Sequence, residues 1–357
     1  MTMRTAMVVA LAAASAFSSF PSAFYQQLPP DFGSAALTTA LLFAAHGIAA
    51  ALAMGVLARR QGARWISRFG TAPIIVVALL VDALGGAVLA LAGDGSELAE
   101  LLVGRLVTGA ALGIVTVCAT SVIVTAPRGS SVTTACILGG VGAGAVLSGG
   151  IAAFDLARSA VFVVGILLLL LAAGLVHSAS GRTSDLSPAR QETDSPGGTP
   201  AVPPIFTAAV AVAVTLAFVS NGVLGLFTSI VPGFVAAESG GAPLIAGLTA
   251  GTALLAAGAA RVLLAPVESG VVRIIGFVAL ALGAAAFAYG MVASAIPSAL
   301  VGGALLGGAA GIAYSTAIDL AARTAGPVRI RMLAQVQRGG QLGLVIPVLL
   351  FPLAAQR

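Results

Sequence analysis

The sequence predicts an all-α integral membrane protein with about eleven transmembrane helices. Apolar residues make up 59% of its 357 residues and charged residues only 8%, whereas a soluble domain has roughly 25% charged residues. Such a chain cannot cover a water-facing surface, so lipid must be its main solvent. The apolar runs are rich in Ala and Leu and lack the two-residue alternation of membrane strands. Because backbone groups in lipid must be hydrogen-bonded internally, helices follow.

Eleven apolar runs are long enough to cross a hydrocarbon core of roughly 30 Å as helices. The first run continues through Phe20 and Phe24. It is therefore longer than the core of a typical signal peptide, which favours a retained helix. The runs cover residues 5–27, 34–58, 71–93, 98–126, 131–153, 157–177, 204–232, 241–265, 271–293, 296–323 and 331–355.

One extended polar segment divides the chain after the sixth run. It is rich in Pro, Ser and Gly with mixed charge and cannot bury apolar area, so it predicts a flexible, water-exposed linker. We therefore expect a six-helix bundle at 1–177, a linker at 178–203 and a five-helix bundle at 204–357.

The arginines predict the orientation of the chain. All 17 basic residues are arginine. If the N-terminus is cytoplasmic, thirteen lie on the inside, two outside and two within spans. This asymmetry follows the positive-inside rule. Helical spans without an organelle signal further favour the inner membrane of a bacterium.

The segment after the second run carries a recognisable motif. It reads GVLARRQGAR from Gly55 to Arg64. Gly55 allows close helix approach, Gly62 predicts a tight turn, and the arginines fix orientation. The segment resembles the signature G-x-L-a-D-r-x-G-r-r of the major facilitator superfamily. The matching positions are Gly55, Leu57, Ala58, Arg60, Gly62 and Arg64.

The fourth run resembles a second signature of that family, an arginine followed by glycines at four-residue steps. Here these are Arg105, Gly109 and Gly113, and the two glycines share one helix face. The resemblance implies two bundles related by a pseudo-twofold axis around a central cavity, and secondary transport of a small molecule by alternating access. No Walker sequence for ATP is present.

Three departures from the family pattern matter. Arg59 replaces an aspartate that in the family bonds to the other half and stabilises one conformation. Because arginine accepts no hydrogen bonds, this latch must be rebuilt or absent. The fifth run is similar to the exporter signature Gly-Pro-x-x-Gly-Gly but lacks the proline, so close packing explains its glycines nearly as well. Eleven runs against the usual twelve indicate a divergent or shortened member. The candidate helix-packing glycines are Gly109, Gly113, Gly144, Gly149 and Gly150.

Polar groups inside the spans are the candidates for substrate or proton binding, because their burial is costly. His46, Asp82 and Arg105 lie within roughly 7 Å of one another in depth at 1.5 Å per residue. An Asp82–Arg105 pair is predicted, either functional or purely structural. His46 is either a carrier of a coupling proton or a packed core residue. Asp319 and Arg338 are expected to pair near the cytoplasmic mouth. Further hydrogen-bonding candidates are Asn221, Tyr314, Tyr25, Gln26 and Gln27.

These features favour a monomeric secondary transporter without a cofactor. The expected solute is small and largely apolar or amphipathic, and its export would be coupled to proton exchange. The sequence shows no catalytic set, metal-ligand cluster or nucleic-acid module, and Cys118 and Cys136 lie inside apolar runs. Two alternatives remain. One is a receptor or sensor with the same fold, which Arg59 favours. The other is a membrane enzyme acting on lipids, which needs an Asp, His or Asn cluster at a membrane face.

Overall fold

The computed structural model describes residues 1–21, 35–92, 98–154, 158–181, 208–229, 231, 235, 243–323 and 326–355. These residues form helices joined by short turns, with no strand among them. The predicted all-α fold class is confirmed.

The described residues of the first half form six long helices and one short helix. Helix α6 (Gly129–Ala152) contains a π-helical turn at Ala135–Gly139, and helix α1 (Met3–Ser19) is capped by the Thr2 hydroxyl, which accepts a hydrogen bond from the Thr5 N–H at 3.2 Å. The helices are α1 (Met3–Ser19), α2 (Ala35–Leu57), α3 (Arg60–Phe69), α4 (Thr71–Leu91), α5 (Leu98–Ile123), α6 (Gly129–Ala152) and α7 (Arg158–Ser180).

The described residues of the second half form five long helices. Across the described parts of both halves, eight helices are long and apolar enough to cross a membrane by length and composition. α7 continues to Ser180, past the predicted start of the linker, and residues 182–207 lie outside the described residues. The second-half helices are α8 (Ala208–Ser229), α9 (Pro243–Leu263), α10 (Ser269–Val292), α11 (Ile296–Ala322) and α12 (Gly326–Ala355).

Helix α3 occupies the segment in which a tight turn was predicted at Gly62. That prediction was wrong, because Gly62 is helical and the positive φ of 79° belongs to Gly70, where α3 gives way to α4. Gly62 is nevertheless required there. A Cβ at this position would lie 2.5 Å from the Leu57 Cα, so only glycine lets α3 fold back against the end of α2.

Within the first half, α2 and α5 pack backbone against backbone. A Cβ at Gly109 would overlap the carbonyl oxygen of His46, and one at Gly113 would lie 2.6 Å from the carbonyl oxygen of Ala50. The two contacts are four residues apart on both helices, so a whole face of α5 rests on α2. Close approach through small residues is the usual means of helix association in lipid, where no hydrophobic effect favours it.

The second half repeats this contact between α9 and α11. A Cβ at Gly307 would overlap the carbonyl oxygen of Ala253, and one at Gly311 that of Ala257. The α1–α6 and α8–α12 contacts correspond in the same way, with Gly144 against Ala16 and Gly343 against Phe218. The two halves thus share one packing pattern, as expected of bundles related by a pseudo-twofold axis.

The two halves meet along two seams. The α6–α9 seam is formed largely by backbone: a Cβ at Gly258 would lie 2.7 Å from the Gly139 nitrogen, and one at Gly247 would lie 2.7 Å from the Ala145 carbonyl oxygen. The second seam joins α12 to α2 and α5 by polar bonds. We call the end of the bundle near this polar seam the arginine-rich end; it holds Arg59, Arg128, Arg261, Arg323 and Arg331.

Candidate functional site

The guanidinium of Arg105 is fixed where α1, α2 and α5 meet. The side chain is only 2% exposed. Its Nη1 donates to the Ser18 carbonyl at 2.9 Å and its Nε donates to the Leu42 carbonyl at 3.3 Å. The charge therefore stays in the bundle interior, where bonds to two backbone carbonyls offset part of its burial cost.

His46 lies one turn further along α2, beside the same arginine. It is buried, and its Nδ1 lies 3.2 Å from Thr108 Oγ1. The Thr108 hydroxyl donates its single hydrogen to the Arg105 carbonyl at 3.2 Å, so it accepts from His46 and Nδ1 carries the ring hydrogen. His46 Nε2 is then an unprotonated base, and in the described part of the chain it has no hydrogen-bond partner.

Asp82 on α4 is the acidic member of this cluster. It is 1% exposed, and its Oδ2 has no partner among the described residues. The predicted Asp82–Arg105 ion pair was wrong within the same residues, because Arg105 bonds instead to carbonyls of α1 and α2. The charge of Arg105 still acts on both Asp82 and His46. We call these three buried side chains of α2, α4 and α5 the buried triad.

The structure separates Asn221 and Tyr314 from Asp319, a third candidate of the second half. Asn221 and Tyr314 are buried and flank Gly340 on α12, where a Cβ would lie 2.8 Å from Asn221 Nδ2. That amide donates to the Ala217 carbonyl at 3.0 Å. The other candidate, Asp319, lies near the end of α11. Tyr25, Gln26 and Gln27 lie outside the described residues.

The predicted Asp319–Arg338 pair was wrong. Asp319 accepts from Arg323 at 3.1 Å, one turn further along the same helix face, and both side chains are exposed. Arg338 lies against Gly55 on α2, where a Cβ would be 3.6 Å from the guanidinium carbon. Arg338 thus belongs to the seam between the halves.

A second arginine of α12 also lies in this seam. Arg331 Nε donates to the Ala58 carbonyl at the end of α2, over 3.1 Å. Arg59 itself is exposed and makes no side-chain cap of α3. Among the described residues, the polar contact between α2 and α12 is therefore a hydrogen bond from an arginine to a backbone carbonyl, and Arg59 takes no part in it.

A buried hydrogen bond strengthens the same seam and was not anticipated from the sequence. Gln337 Nε2 donates to Thr120 Oγ1 at 2.9 Å, which joins α12 to α5. Both side chains are at most 1% exposed. Their signal in the sequence is weak, because Gln337 stands between Gln335 and Gln341 and Thr120 is one of three threonines in α5, so no pattern singles out this pair.

The other predicted motif residues differ in how closely neighbouring helices approach them and in how far they are buried. Gly144 packs on the Ala16 carbonyl and Gly149 lies beside Gly247, whereas a Cβ at Gly150 would meet no atom within 4 Å. Leu57 is buried, Arg64 is exposed, and Arg60 begins α3. Gly150 therefore makes no close helix contact.

A cavity of about 240 Å³ opens between the halves at the arginine-rich end. Its walls come from the end of α5 and the start of α6 in one half, and from the ends of α9 and α11 in the other. Arg128, Arg261 and Asp319 are its charged groups. No cluster of three metal-ligating side chains occurs in the ranges that the structure describes.

The chain belongs to the Major Facilitator Superfamily. The family model matches residues 5–346, nearly the whole sequence. The protein is therefore a multi-pass membrane protein of a transporter family that works by alternating access, and this family and fold are generally not enzymatic.

Solved structures share the fold at low sequence identity. One is the proton:xylose symporter XylE bound to 6-bromo-6-deoxy-D-glucose, with a TM-score of 0.71, 12% identity, and coverage of 99% of this chain and 88% of that one. Another is the xylose transporter XylE from E. coli in a partially occluded inward-open conformation, with a TM-score of 0.64, 13% identity and coverage of 97% and 90%. No curated protein matches the sequence significantly.

Proposed function

We propose that this protein is a proton-coupled antiporter that exports a small, largely apolar or amphipathic solute across the inner membrane of a bacterium. The observation that carries the coupling is the buried triad. His46 Nε2 and Asp82 Oδ2 are two proton-accepting atoms, both without a hydrogen-bond partner in the described chain, beside a fixed cation.

The triad suits proton coupling because its charge changes by one unit when either base takes up a proton. In the buried interior such a change of charge is screened less than in water, so it alters the electrostatic energy of the group more strongly. A conformational change that gives the triad different surroundings in its two states then depends on the protonation of these bases. Arg105 keeps its proton at all accessible pH values, so its positive charge stays the same while His46 and Asp82 gain or lose protons.

The conformational part of the proposal uses the polar seam. Arg331 and Gln337 hold α12 to α2 and α5 at the arginine-rich end, which fits a state closed at that end. With a cytoplasmic N-terminus, this end faces the cytoplasm. Breaking these bonds would open the interior between the two halves to the cytoplasm, and remaking them would close it.

The nature of the solute follows from what the spans offer. Among the described residues, the buried side chains are mostly apolar, with hydroxyl and amide groups such as those of Asn221 and Tyr314. A helix bundle whose interior has this composition suits an apolar or amphipathic molecule that lacks a strong charge. We infer that the protein works as a monomer, since each chain supplies both halves.

Purified protein in liposomes with an imposed pH gradient tests the proposal. A panel of uncharged amphipathic solutes is added, and a pH-sensitive dye inside the liposomes reports solute-induced proton flux. We expect His46→Ala and Asp82→Asn to abolish gradient-driven solute accumulation while downhill exchange persists. Thr228→Val is the control, because that buried hydroxyl bonds only within α8.

Two results would contradict the proposal in different ways. If His46→Ala and Asp82→Asn still transport solute in a pH-dependent way, the buried triad does not couple transport to protons. Wild-type protein that binds a solute but moves neither solute nor protons would favour the receptor reading, which the substitution at Arg59 already suggests.

A further inference from the structure

We propose that the cavity at the arginine-rich end is a binding site for a phosphate-class anion, shared between the two halves. Arg128 comes from the start of α6 in the first half, and Arg261 from near the end of α9 in the second. Neither forms an ion pair among the described residues. Two arginines from opposite halves thus line one cavity, and neither is paired with a carboxylate of the described residues.

The acidic residue in the wall does not neutralise them. Asp319 is paired with Arg323 at 3.1 Å, so its charge is already balanced. Within the described residues, Arg261 makes one long hydrogen bond, from Nη1 to the Leu264 carbonyl at 3.5 Å. Like charges that share a water-filled space repel, and an oxyanion between them converts this repulsion into attraction.

The backbone holds Arg128 in an unusual conformation. Its φ of 61° lies in the left-handed region, which non-glycine residues seldom adopt. The neighbouring Pro127 carbonyl accepts from Arg4 Nη2 at 3.5 Å, which adds a third arginine to this corner. A strained residue at a charged cavity is a reason to infer a function for it.

Size and chemistry select the ligand. A volume of about 240 Å³ is several times the roughly 30 Å³ that one water occupies in the liquid. A tetrahedral oxyanion therefore fits together with some of its hydration shell. The planar fork of arginine binds two phosphate oxygens at once, and Ser130 and Ser131 in the same wall add hydroxyl donors. A lipid headgroup and free phosphate both carry this group.

The site exists only when the halves are closed at this end, because its walls come from both. An anion bound there would stabilise the closed state, since it favours that conformation over one in which the two arginines separate. Binding itself rests on neither the buried triad nor the proposed solute, so it stands or falls independently of proton coupling.

Thermal unfolding of the full chain in detergent tests the site. Sodium phosphate is titrated against sodium chloride at equal ionic strength. We expect a saturable rise in Tm with phosphate alone, and a midpoint at least tenfold weaker, about 1.4 kcal/mol, in R128Q/R261Q. Arg273→Gln is the matched control, because Arg273 is an exposed arginine of α10 that bonds to Ser269 in its own helix.

A second arm identifies the source of the phosphate group. The same proteins are unfolded in nanodiscs of phosphatidylglycerol or of phosphatidylcholine. Extra stability in phosphatidylglycerol that R128Q/R261Q removes identifies a lipid headgroup, whereas a response to dissolved phosphate alone identifies a free anion. The proposal is overturned if neither probe stabilises the wild type, or if R273Q loses as much as R128Q/R261Q. If the double variant does not fold, Arg261→Gln alone serves for the same comparison.

Discussion

The hydrogen bond from Gln337 to Thr120 offers a direct test of how the halves are held together. Thr120→Val removes the acceptor and keeps the side-chain shape, which leaves the Gln337 amide buried without its partner. A buried bond contributes about 1 kcal/mol net, and an orphaned buried donor costs about 1–3 kcal/mol. Opening at the arginine-rich end lets water reach that amide, so only the closed state is penalised.

A penalty of about 1–2 kcal/mol changes the ratio of open to closed molecules by a factor of roughly 5–30. The reverse holds for T120V/Q337L, in which neither partner remains polar. Replacing both members of a buried bond by apolar groups is nearly neutral. The fraction of closed molecules in the double variant should therefore be close to that of the wild type and higher than that of Thr120→Val.

Distances between spin labels measure this population. Ser178 at the end of α7 and Ser269 at the start of α10 are exposed and belong to different halves, so labelled cysteines there report the width of the arginine-rich end. The native Cys118 and Cys136 are buried and free. Thr228→Val should leave the distance distribution unchanged. If Thr120→Val also leaves it unchanged, or T120V/Q337L opens further than T120V, the bond does not hold the closed state.

Three further predictions follow from single contacts. Gly311→Val should destabilise the protein by about 1–3 kcal/mol, because the new side chain overpacks against α9. Gly150→Ala should be neutral or slightly stabilising, because a Cβ at Gly150 meets no atom within 4 Å. Thermal unfolding of the two variants compares these effects. Arg331→Gln removes the bond to the Ala58 carbonyl, which contributes about 1 kcal/mol to the closed state. The spin-label distance distribution should then show a ratio of open to closed molecules that is about fivefold higher. Asp319→Asn should change Tm very little, because its exposed pair within α11 contributes about 0–1 kcal/mol.

Composition and two short motifs were sufficient to predict the all-α membrane fold and the family. These properties depend on sums over many residues, and a few errors at helix ends do not alter them. The helix α3 was missed because it is rich in charge and its large apolar side chains Trp65 and Phe69 are exposed, so no apolar run marks it.

The details of the site could be predicted only in part. Burial of His46, Asp82 and Arg105 followed from their depth in the spans. The partners of Arg105 did not follow, because backbone carbonyls compete for a guanidinium and leave no trace in the sequence. The pairing of Asp319 was wrong for a related reason. A partner one helical turn away is nearer than one on another helix, however well the depths agree.

The α6–α9 seam has a consequence for the speed of the conformational cycle. Where glycine backbone meets glycine backbone, few rotamers have to change when one bundle tilts against the other. The α12 seam is the opposite, since its side-chain bonds must break one by one. We expect the first seam to act as the axis about which the bundles turn and the second to set the rate. Bulk added beside Gly258 would then slow both directions of the cycle equally, whereas changes at Gln337 would favour one direction.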